Sequence, residues 1–514
     1  MQLLRREALR IFHKDLSFYS IKEELSFHTF AVMSDFEKYE PVIGLEVHTQ
    51  LLTNSKLFCG DSAQFGNLPN TNVSAISLAH PGTLPMMNEK AVELAIKLGL
   101  AFNCDIVRNN FFARKNYFYP DLPKGYQVTQ HTTPICKNGT IPIRVNGTER
   151  NVLLNRIHLE EDAGKSIHDA DEQYTCIDLN RAGVPLLEIV SEPDLHSSEE
   201  AFAYVTEIRK MVRHLDICDG NMEEGSMRCD ANISVRLKGE KKLGTKVEVK
   251  NLNSIRNVKK AIDFEISRLI ELLENGEDVV QQTRSFDADK GITFSLRSKE
   301  EANDYRYFPE PDLTPFLISE EQITAIKSSL PELPGEIEQR LMTQYSLPKE
   351  AAKIIADDRE ISIFFKSIIQ ETQNYKAIAN WIIGPVKSYL NENNIEINRL
   401  SITPKTMADL INLVEEGKVS FGIAATKIFP LLIQFPAKEP ITIAKELDLI
   451  QEKNDDALHT WVDEVLAEMP AKVAEYKKGK KNLTGLFAGE VKKKSKGKAD
   501  MQAVIKILNQ KLTQ

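Results

Sequence analysis

Between Pro41 and Leu52 the chain alternates so regularly that an extended strand is the conformation it specifies. Val42, Gly44, Glu46 and His48 fall on one face, and Ile43, Leu45, Val47 and Thr49 on the other. Glu46 and His48 then stand about 7 Å apart on the face opposite an unbroken aliphatic row. A carboxylate and an imidazole at that separation can reach one cation. Taken alone, the pair also fits the polar face of a half-exposed strand. The same oddity, however, recurs at four other places.

Arg156-Ile-His-Leu-Glu-Glu-Asp-Ala-Gly-Lys165 reads as a strand entering a turn, with adjacent Glu160 and Glu161 pointing to opposite faces. One of them shares the face of Ile157 and Leu159, where a carboxylate is costly unless a cation or metal meets it. Glu188 interrupts the aliphatic run Val184-Pro-Leu-Leu-Glu-Ile-Val190, Asp230 shares a face with Arg228, Asn232 and Ser234, and Glu248 lies between Lys246 and Lys250. Glu46, His48, Glu161 (with Glu160), Glu188, Asp230 and Glu248 therefore form a candidate constellation. Carboxylates with one histidine suit a hard divalent ion, Mg²⁺ or Mn²⁺, bound together with phosphates. No GxxxxGK[ST] loop or protein-kinase signature is present, so any ATP must be held in another way. Arg114 to Tyr126 interleaves three basic residues with four aromatics. That mixture suits an adenine ring, a base or a phosphate, and equally a proline-pinned loop packed by its own rings.

At 514 residues the chain exceeds one core. Several strands with few helices between them predict a mostly antiparallel α+β domain over 38–330. Pro-rich segments at 308–315 and 331–334 mark its end, a helical domain is expected over 331–445, and a small basic module over 446–514. Residues 471–514 carry 12 Lys against three acids, a net of +9, which leaves −18 on the remainder of a chain whose total is −9. A basic end on an acidic body suits contact with a polyanion. The candidates there are Lys477, Lys478, Lys480 and Lys481, then Lys492, Lys493, Lys494 and Lys496. Six scattered cysteines and no secretion signal fit reduced thiols in a cytosol. No apolar run approaches about 18 residues, so no membrane span is expected. Residues 1–37 are expected to be a poorly ordered extension, of which 1–32 is either translated or an artefact of start-codon choice.

The segments VIGLEVHTQL, NTNVSAISLAHPGTLP, RKNYFYPDLPKGYQ, RIHLEEDAGKS, DLNRAGVPLLEIVSEPD, EEGSMRCDANISVR, EVKNLNS and YRYFPEPDL occur in this order. Together they resemble the B-subunit family of the aspartyl/glutamyl-tRNA(Asn/Gln) amidotransferases from about Tyr39 to the chain's end. The resemblance implies a cradle-shaped α+β domain, a helical domain and a small tail similar to the YqeY family. It implies a bacterial cytoplasmic ligase that forms carbon–nitrogen bonds with glutamine as amide donor. In that reaction ATP activates the side-chain carboxylate of Glu-tRNA(Gln) or Asp-tRNA(Asn) as an acyl phosphate, and ammonia displaces the phosphate. Carried over by motif, Glu46, His48, Glu161, Glu188, Asp230 and Glu248 are expected around the metal and ATP. Of these His48, Glu161, Glu188, Asp230 and Glu248 are expected on Mg²⁺, with Lys115, Tyr117, Glu160 and Arg228 toward ATP. The implied partners are an amidase (glutaminase) subunit and a small third subunit, forming a heterotrimer, together with mis-acylated tRNA.

Some members of that family carry two cysteine pairs in the early loop, suited to structural zinc. Here those positions read Cys59-Gly-Asp61 and Ser74-Ala-Ile-Ser77. One thiolate cannot close a tetrahedral site, so no zinc is expected and the loop must be held by packing and hydrogen bonds. Two rival readings are a metal-dependent phosphohydrolase or nuclease, which clustered carboxylates also serve, and a non-catalytic RNA-binding scaffold.

Overall fold

A computed structural model of the chain describes residues 37–168, 170–171, 173–298, 305–451, 455–495 and 498–513. The expected amino-terminal extension up to residue 36, and Lys496 of the second lysine cluster, lie outside the described residues. Ten strands form the main path of a large sheet: β1 (Tyr39–Gln50), β2 (Ala113–Asn116), β3 (Tyr126–Thr129), β4 (Thr148–Glu161), β5 (Pro185–Ser191), β6 (Met227–Leu237), β7 (Val247–Leu252), β8 (Gln282–Asp287), β9 (Ile292–Ser298) and β10 (Arg306–Pro309). Their hydrogen-bonded order is β9, β8, β7, β6, β1, β5, β4, β3, β2, β10, within a sheet of thirteen strands among the described residues. All of these pairings are antiparallel except β7 with β8. A parallel pair needs a crossover, and the helix Ile255–Glu274 supplies it.

The alternation read from the sequence separates the two faces. Ile43, Leu45 and Val47 of β1, Ile157 and Leu159 of β4, Leu187 and Ile189 of β5, and Ala231 and Ile233 of β6 are all buried. Each of the larger aliphatic side chains contributes roughly 1.5–3 kcal/mol by leaving water. Helices α1 (Glu89–Ala101), α2 (Ser198–His214) and α3 (Ile255–Glu274) pack against strands of this unit, with buried Val205, Ile208 and Val212 on α2 and Val258, Ile262 and Leu269 on α3. Ser197 caps α2 by accepting from the Glu200 N–H, as the capping-box pattern predicts. The reciprocal bond is redirected: the Glu200 carboxylate takes the His196 N–H and pairs with Arg150 on β4, which ties the helix start to the sheet. Helix α3 closes at Gly276, whose φ of +74° is the left-handed value a helix C-terminus favours.

The early loop is organised around Asp61. Its carboxylate accepts the Ser74 N–H at 2.8 Å and the Ser77 hydroxyl, while Cys59 Sγ lies 3.4 Å from the same hydroxyl. The four positions considered for zinc are thus joined by hydrogen bonds centred on a carboxylate.

The chain divides into two compact units, Met1–Pro331 and Glu332–Gln514. The second is helical among its described residues and contains two hydrophobic clusters. One gathers residues from Ile337 to Leu449 around Phe365, Trp381 and Phe429, and the other gathers residues from Leu458 to Leu512 around Val462, Phe487 and Leu508. No helix among the described residues is long and apolar enough to cross a membrane.

Glu265 on α3 is fully buried, and its charge is met by Arg268 at 2.6 Å and Arg284 of β8 at 2.9 Å, with the Thr293 hydroxyl of β9 donating to it. Removing one partner of such a group strands the others in low dielectric, at a cost of about 3–5 kcal/mol. Glu265→Ala should therefore lower unfolding stability by about that amount in a denaturant titration. Asp263→Ala, on the exposed side of the same helix, should cost much less.

Candidate active site

The polar face of the sheet carries the chemistry. Because directly opposed residues on paired strands point the same way, register decides which side chains meet. His48 stands opposite Glu188, and Glu188 opposite His158. On the other side of β1, Glu46 stands opposite Asp230 and His48 opposite Arg228, while Asn232 faces Glu248. Thr129 of β3 faces Glu160, and Lys115 of β2 faces Gln127. One face thus carries polar groups from β2 to β7.

Within it the acids fall into two groups. His48, Glu160 and Glu188 each offer a ligand atom, all within 4.8 Å of one another, and so do Glu46, Asp230 and Glu248. In the first group His48 Nε2 is 3.4 Å from Glu188 and 4.0 Å from Glu160. His158 Nε2 lies 3.5 Å from Glu188 and 3.6 Å from Glu160, so two imidazoles bracket two carboxylates. The Nδ1 atoms of both histidines are buried without a hydrogen-bond partner. In the second group Asn232 donates to Glu46 at 2.9 Å, the Asn251 N–H donates to Asp230 at 2.9 Å, and Thr283 donates to Glu248 at 3.1 Å. Among the described residues Lys250 is the ion-pair partner of this group, 2.9 Å from Glu248 and 3.4 Å from Asp230.

The electrostatics of the two groups differ. Burial disfavours ionisation of Glu188, yet His158 and His48 outweigh it and hold the carboxyl far below its usual range. Burial likewise opposes charge on His48, but the hydrogen bond and charge of Glu188 raise its pKa overall. Glu46 is shifted the other way. Burial comes first, then the charge of Glu188, and Asp230 and Glu248 add to both, so that its carboxyl is pushed up despite His48. Both donor sets are oxygen-rich and close enough to share a cation, and the second carries negative charge that its neighbours do not balance. These residues fit a divalent ion.

The structure brings together Glu46, His48, Glu188, Asp230 and Glu248 as the sequence predicts, and corrects one position. Glu160 rather than Glu161 joins His48 and Glu188. Glu161, one residue on, shares the face of Ile157 and Leu159 and meets Lys124 there, its Oε1 also accepting the Val128 N–H at 2.8 Å. It lines a cleft with Lys56, Phe58 and Tyr126. Arg228 reaches the polar face but is held by Asp162 at 2.8 and 3.2 Å. Lys115 and Tyr117 stand near Glu160, with the Lys115 ammonium 5.8 Å from the Tyr117 ring centre. Two participants were missed. His158 is legible only once its pairing with Glu188 is known, and Lys250 only once β7 is placed beside β6. In the tail, Lys477, Lys478 and Lys492 are exposed, whereas Lys480 pairs with Glu475, Lys493 with Glu490 and Lys494 with Glu464 and Glu468; Lys481 lies over the Tyr476 ring.

Asp162 underpins the turn that follows β4. Burial opposes its charge, but Arg228, Arg181 and the Gln50 amide overcome this and lower its pKa from 3.8 to about 2. The next turn is crowded: a Cβ on Gly164 would come within 2.9 Å of the Asp121 carbonyl oxygen. Since the folded pKa of Asp162 lies below the unfolded one, its stabilisation is present above about pH 4 and is lost as pH falls toward 2. A shift of this size corresponds to about 2 kcal/mol. The stability gap between the native chain and Asp162→Asn should be widest near neutrality and should narrow as unfolding is measured at lower pH.

Comparison with known proteins agrees with this geometry. Residues 41–324 match the family model described as the GatB/GatE catalytic domain, and residues 363–512 match that described as the GatB domain. The B subunit of the aspartyl/glutamyl-tRNA(Asn/Gln) amidotransferase of Oleidesulfovibrio alaskensis is 48% identical over 475 residues, covering 92% of this chain and 99% of the relative. The protein of the same name from Thermodesulfovibrio yellowstonii is 46% identical over 471 residues, covering 92% of this chain and 98% of the relative. With both units matched in order and the acidic face lying inside the first, the chain belongs to the B-subunit family of the aspartyl/glutamyl-tRNA(Asn/Gln) amidotransferases.

Proposed function

We propose that within a glutamine-dependent tRNA amidotransferase this chain activates and amidates the mis-acylated residue. Its substrates are Glu-tRNA(Gln), Asp-tRNA(Asn) or both. The observation that carries the reading is the acidic face, with two three-donor groups on neighbouring strands of a chain from this family. A side-chain carboxylate is a poor electrophile, and ammonia cannot expel oxide from it. Phosphorylation by ATP supplies a leaving group, and ammonia then attacks the acyl phosphate. Magnesium bound by His48, Glu160 and Glu188, or by Glu46, Asp230 and Glu248, would neutralise charge on the phosphates. The residues do the positioning. His158 holds Glu160 and Glu188 in a fixed separation, Lys250 steadies Asp230 and Glu248, and Lys115 offers a cation beside Glu160. Ammonia is to come from a separate amidase (glutaminase) subunit, with a small third subunit completing the heterotrimer, because free ammonia is mostly protonated at neutral pH.

The test is to assemble the chain with those two partners and supply each mis-acylated tRNA, glutamine and ATP. Amide should form, and ATP should be consumed only when mis-acylated tRNA is present. ATP consumption indifferent to tRNA would favour a phosphohydrolase instead. Glu160→Gln should lower ATP-dependent activation by about a hundredfold or more, as loss of a metal ligand does, while the glutaminase activity of the amidase partner persists. Glu161→Gln should spare binding of Mn²⁺ measured by EPR.

The basic tail is proposed to grip the tRNA backbone. Lysine is a point charge without base-reading geometry, so backbone contact is what it offers. Several of the lysines are already paired with acids, which leaves Lys477, Lys478 and Lys492 as the main contributors. Removing residues 446–514 should weaken tRNA binding more than ATP binding. With each of those three lysines on one phosphate, their removal should reduce the salt slope of tRNA binding by roughly 2 to 3.

A further inference from the structure

The strand β10 and the residue before it bring Tyr305, Tyr307 and Phe308 to the end of the sheet, far along the chain from the β2 residues that they meet. Register sorts the aromatic and basic side chains of this edge into two sets. Phe308 stands opposite Arg114, and on that side Arg114 lies over the Tyr126 ring and is clamped by Glu310 at 2.7 and 2.8 Å. That cation is spent within the fold. Tyr307 stands opposite Lys115, on the face that continues through Gln127 and Thr129 to Glu160. Here the cation is not spent. Among the described residues Lys115 makes no ion pair within 4.0 Å, and its ammonium lies 4.6 Å from the Tyr305 ring centre and 5.8 Å from that of Tyr117.

The rings around Lys115 are arranged as flat surfaces. Tyr307 and His131 stack with centroids 3.9 Å apart and planes 7° from parallel. Tyr305 meets Tyr117 edge-on at 5.3 Å and is 45% exposed, as His131 is exposed. If these rings served only to pack the sheet edge, they would be covered by aliphatic neighbours. Instead they border Lys115 and the Glu160 end of the acidic face. The field of Glu160 and Glu188 reaches both Lys115 and Tyr307, so the rings stand beside that site.

We propose that Tyr305, Tyr307 and His131, with Lys115 between them and the acidic face, form a nucleotide subsite that stacks an adenine base and places its phosphate or ribose toward Glu160 and Glu188. An aromatic face accepts any base by stacking, and a lysine held on tyrosine rings keeps its charge available to a phosphate. The subsite rests on the function proposed above, because ATP and the acceptor end of tRNA both bring an adenine to this face. The two sources share their chemistry and differ in what else binds with the base.

Binding, not turnover, tests the proposal. The complete three-subunit complex is titrated, in one arm, with ATP in the absence of RNA. In the other arm it is titrated, in the absence of ATP, with an acceptor-stem minihelix that ends in the terminal adenosine and with one that lacks it. Tyr305→Ala is expected to weaken one of these ligands by about tenfold, the scale of one lost base stack. Tyr305→Phe, which keeps the ring and removes the hydroxyl, should remain within about twofold of the native complex. Weakened ATP binding assigns the subsite to the nucleotide. Weakened minihelix binding that depends on the terminal adenosine assigns it to the tRNA end. If Tyr305→Ala leaves both ligands bound as tightly as before, or if Tyr305→Phe is as damaging as Ala, no base is stacked there and the proposal falls. A native complex that binds neither ATP nor the minihelix overturns the proposed function itself, and the subsite with it.

Discussion

Mutual repulsion among closely spaced carboxylates is the term that the rest of this domain is arranged to withstand. Glu46, Glu160, Glu188, Asp230 and Glu248 come from five neighbouring strands and form two groups within 4.8 Å each. Left to themselves, such side chains would turn toward water or take up protons. They stay because every strand that carries one also carries, one residue away, an apolar side chain buried on the opposite face. A one-residue slip of β1 would move Glu46 and His48 into the core and expose Leu45 and Val47. The hydrophobic face therefore fixes the register, and the register fixes the separation of the acids. Stability and site geometry are two consequences of one two-residue period.

That period also explains what could be read without coordinates and what could not. Alternation within a single strand places Glu46 beside His48, and the helix caps at Asn88 and Ser197 are likewise local. The choice between Glu160 and Glu161 turns on the same parity. Glu160 shares the His158 face, and Glu161 shares that of Ile157 and Leu159. A resemblance by motif covers both residues and does not separate them. His158, Lys250 and Tyr307 were beyond a local reading for another reason. Each acquires its meaning from a residue on another strand: His158 from Glu188, Lys250 from Asp230 and Tyr307 from Lys115. No window of a few residues spans any of these pairs. The basic and aromatic stretch 114–126 gave two equally good readings because both are present. Arg114 and Tyr126 build the edge on one face, while Lys115 and Tyr117 stand near the acids.

The early loop shows how a carboxylate can take over an organising position. Thiolates at positions 59, 61, 74 and 77 would converge on a metal. With Asp61 in their midst, the convergence is onto an acceptor with several lone pairs, filled by a backbone N–H and a hydroxyl. Hydrogen bonds to an ionised acceptor are about twice as strong as neutral ones, which makes one aspartate a reasonable centre for a loop of this length. The hydroxyl of Ser77 and thiol of Cys59 then complete a short chain of polar contacts.

The two acidic groups differ in how far the fold neutralises them, and this difference bears on their roles. In the first, two imidazoles bracket Glu160 and Glu188, and the carboxyl of Glu188 is held strongly ionised. That group is close to balanced by its own surroundings. In the second, Asp230 and Glu248 share Lys250, while Glu46 receives an amide donor and the repulsion of its neighbours, which adds to burial in raising its pKa. A polyanionic substrate approaching this face meets Lys115 and the histidines at one end and an excess of negative charge at the other. Approach from the Lys115 end is therefore favoured electrostatically, and a cation held by Glu46, Asp230 and Glu248 is needed before phosphate can lie across the remainder. The asymmetry gives the face a direction along which an anionic ligand is drawn in.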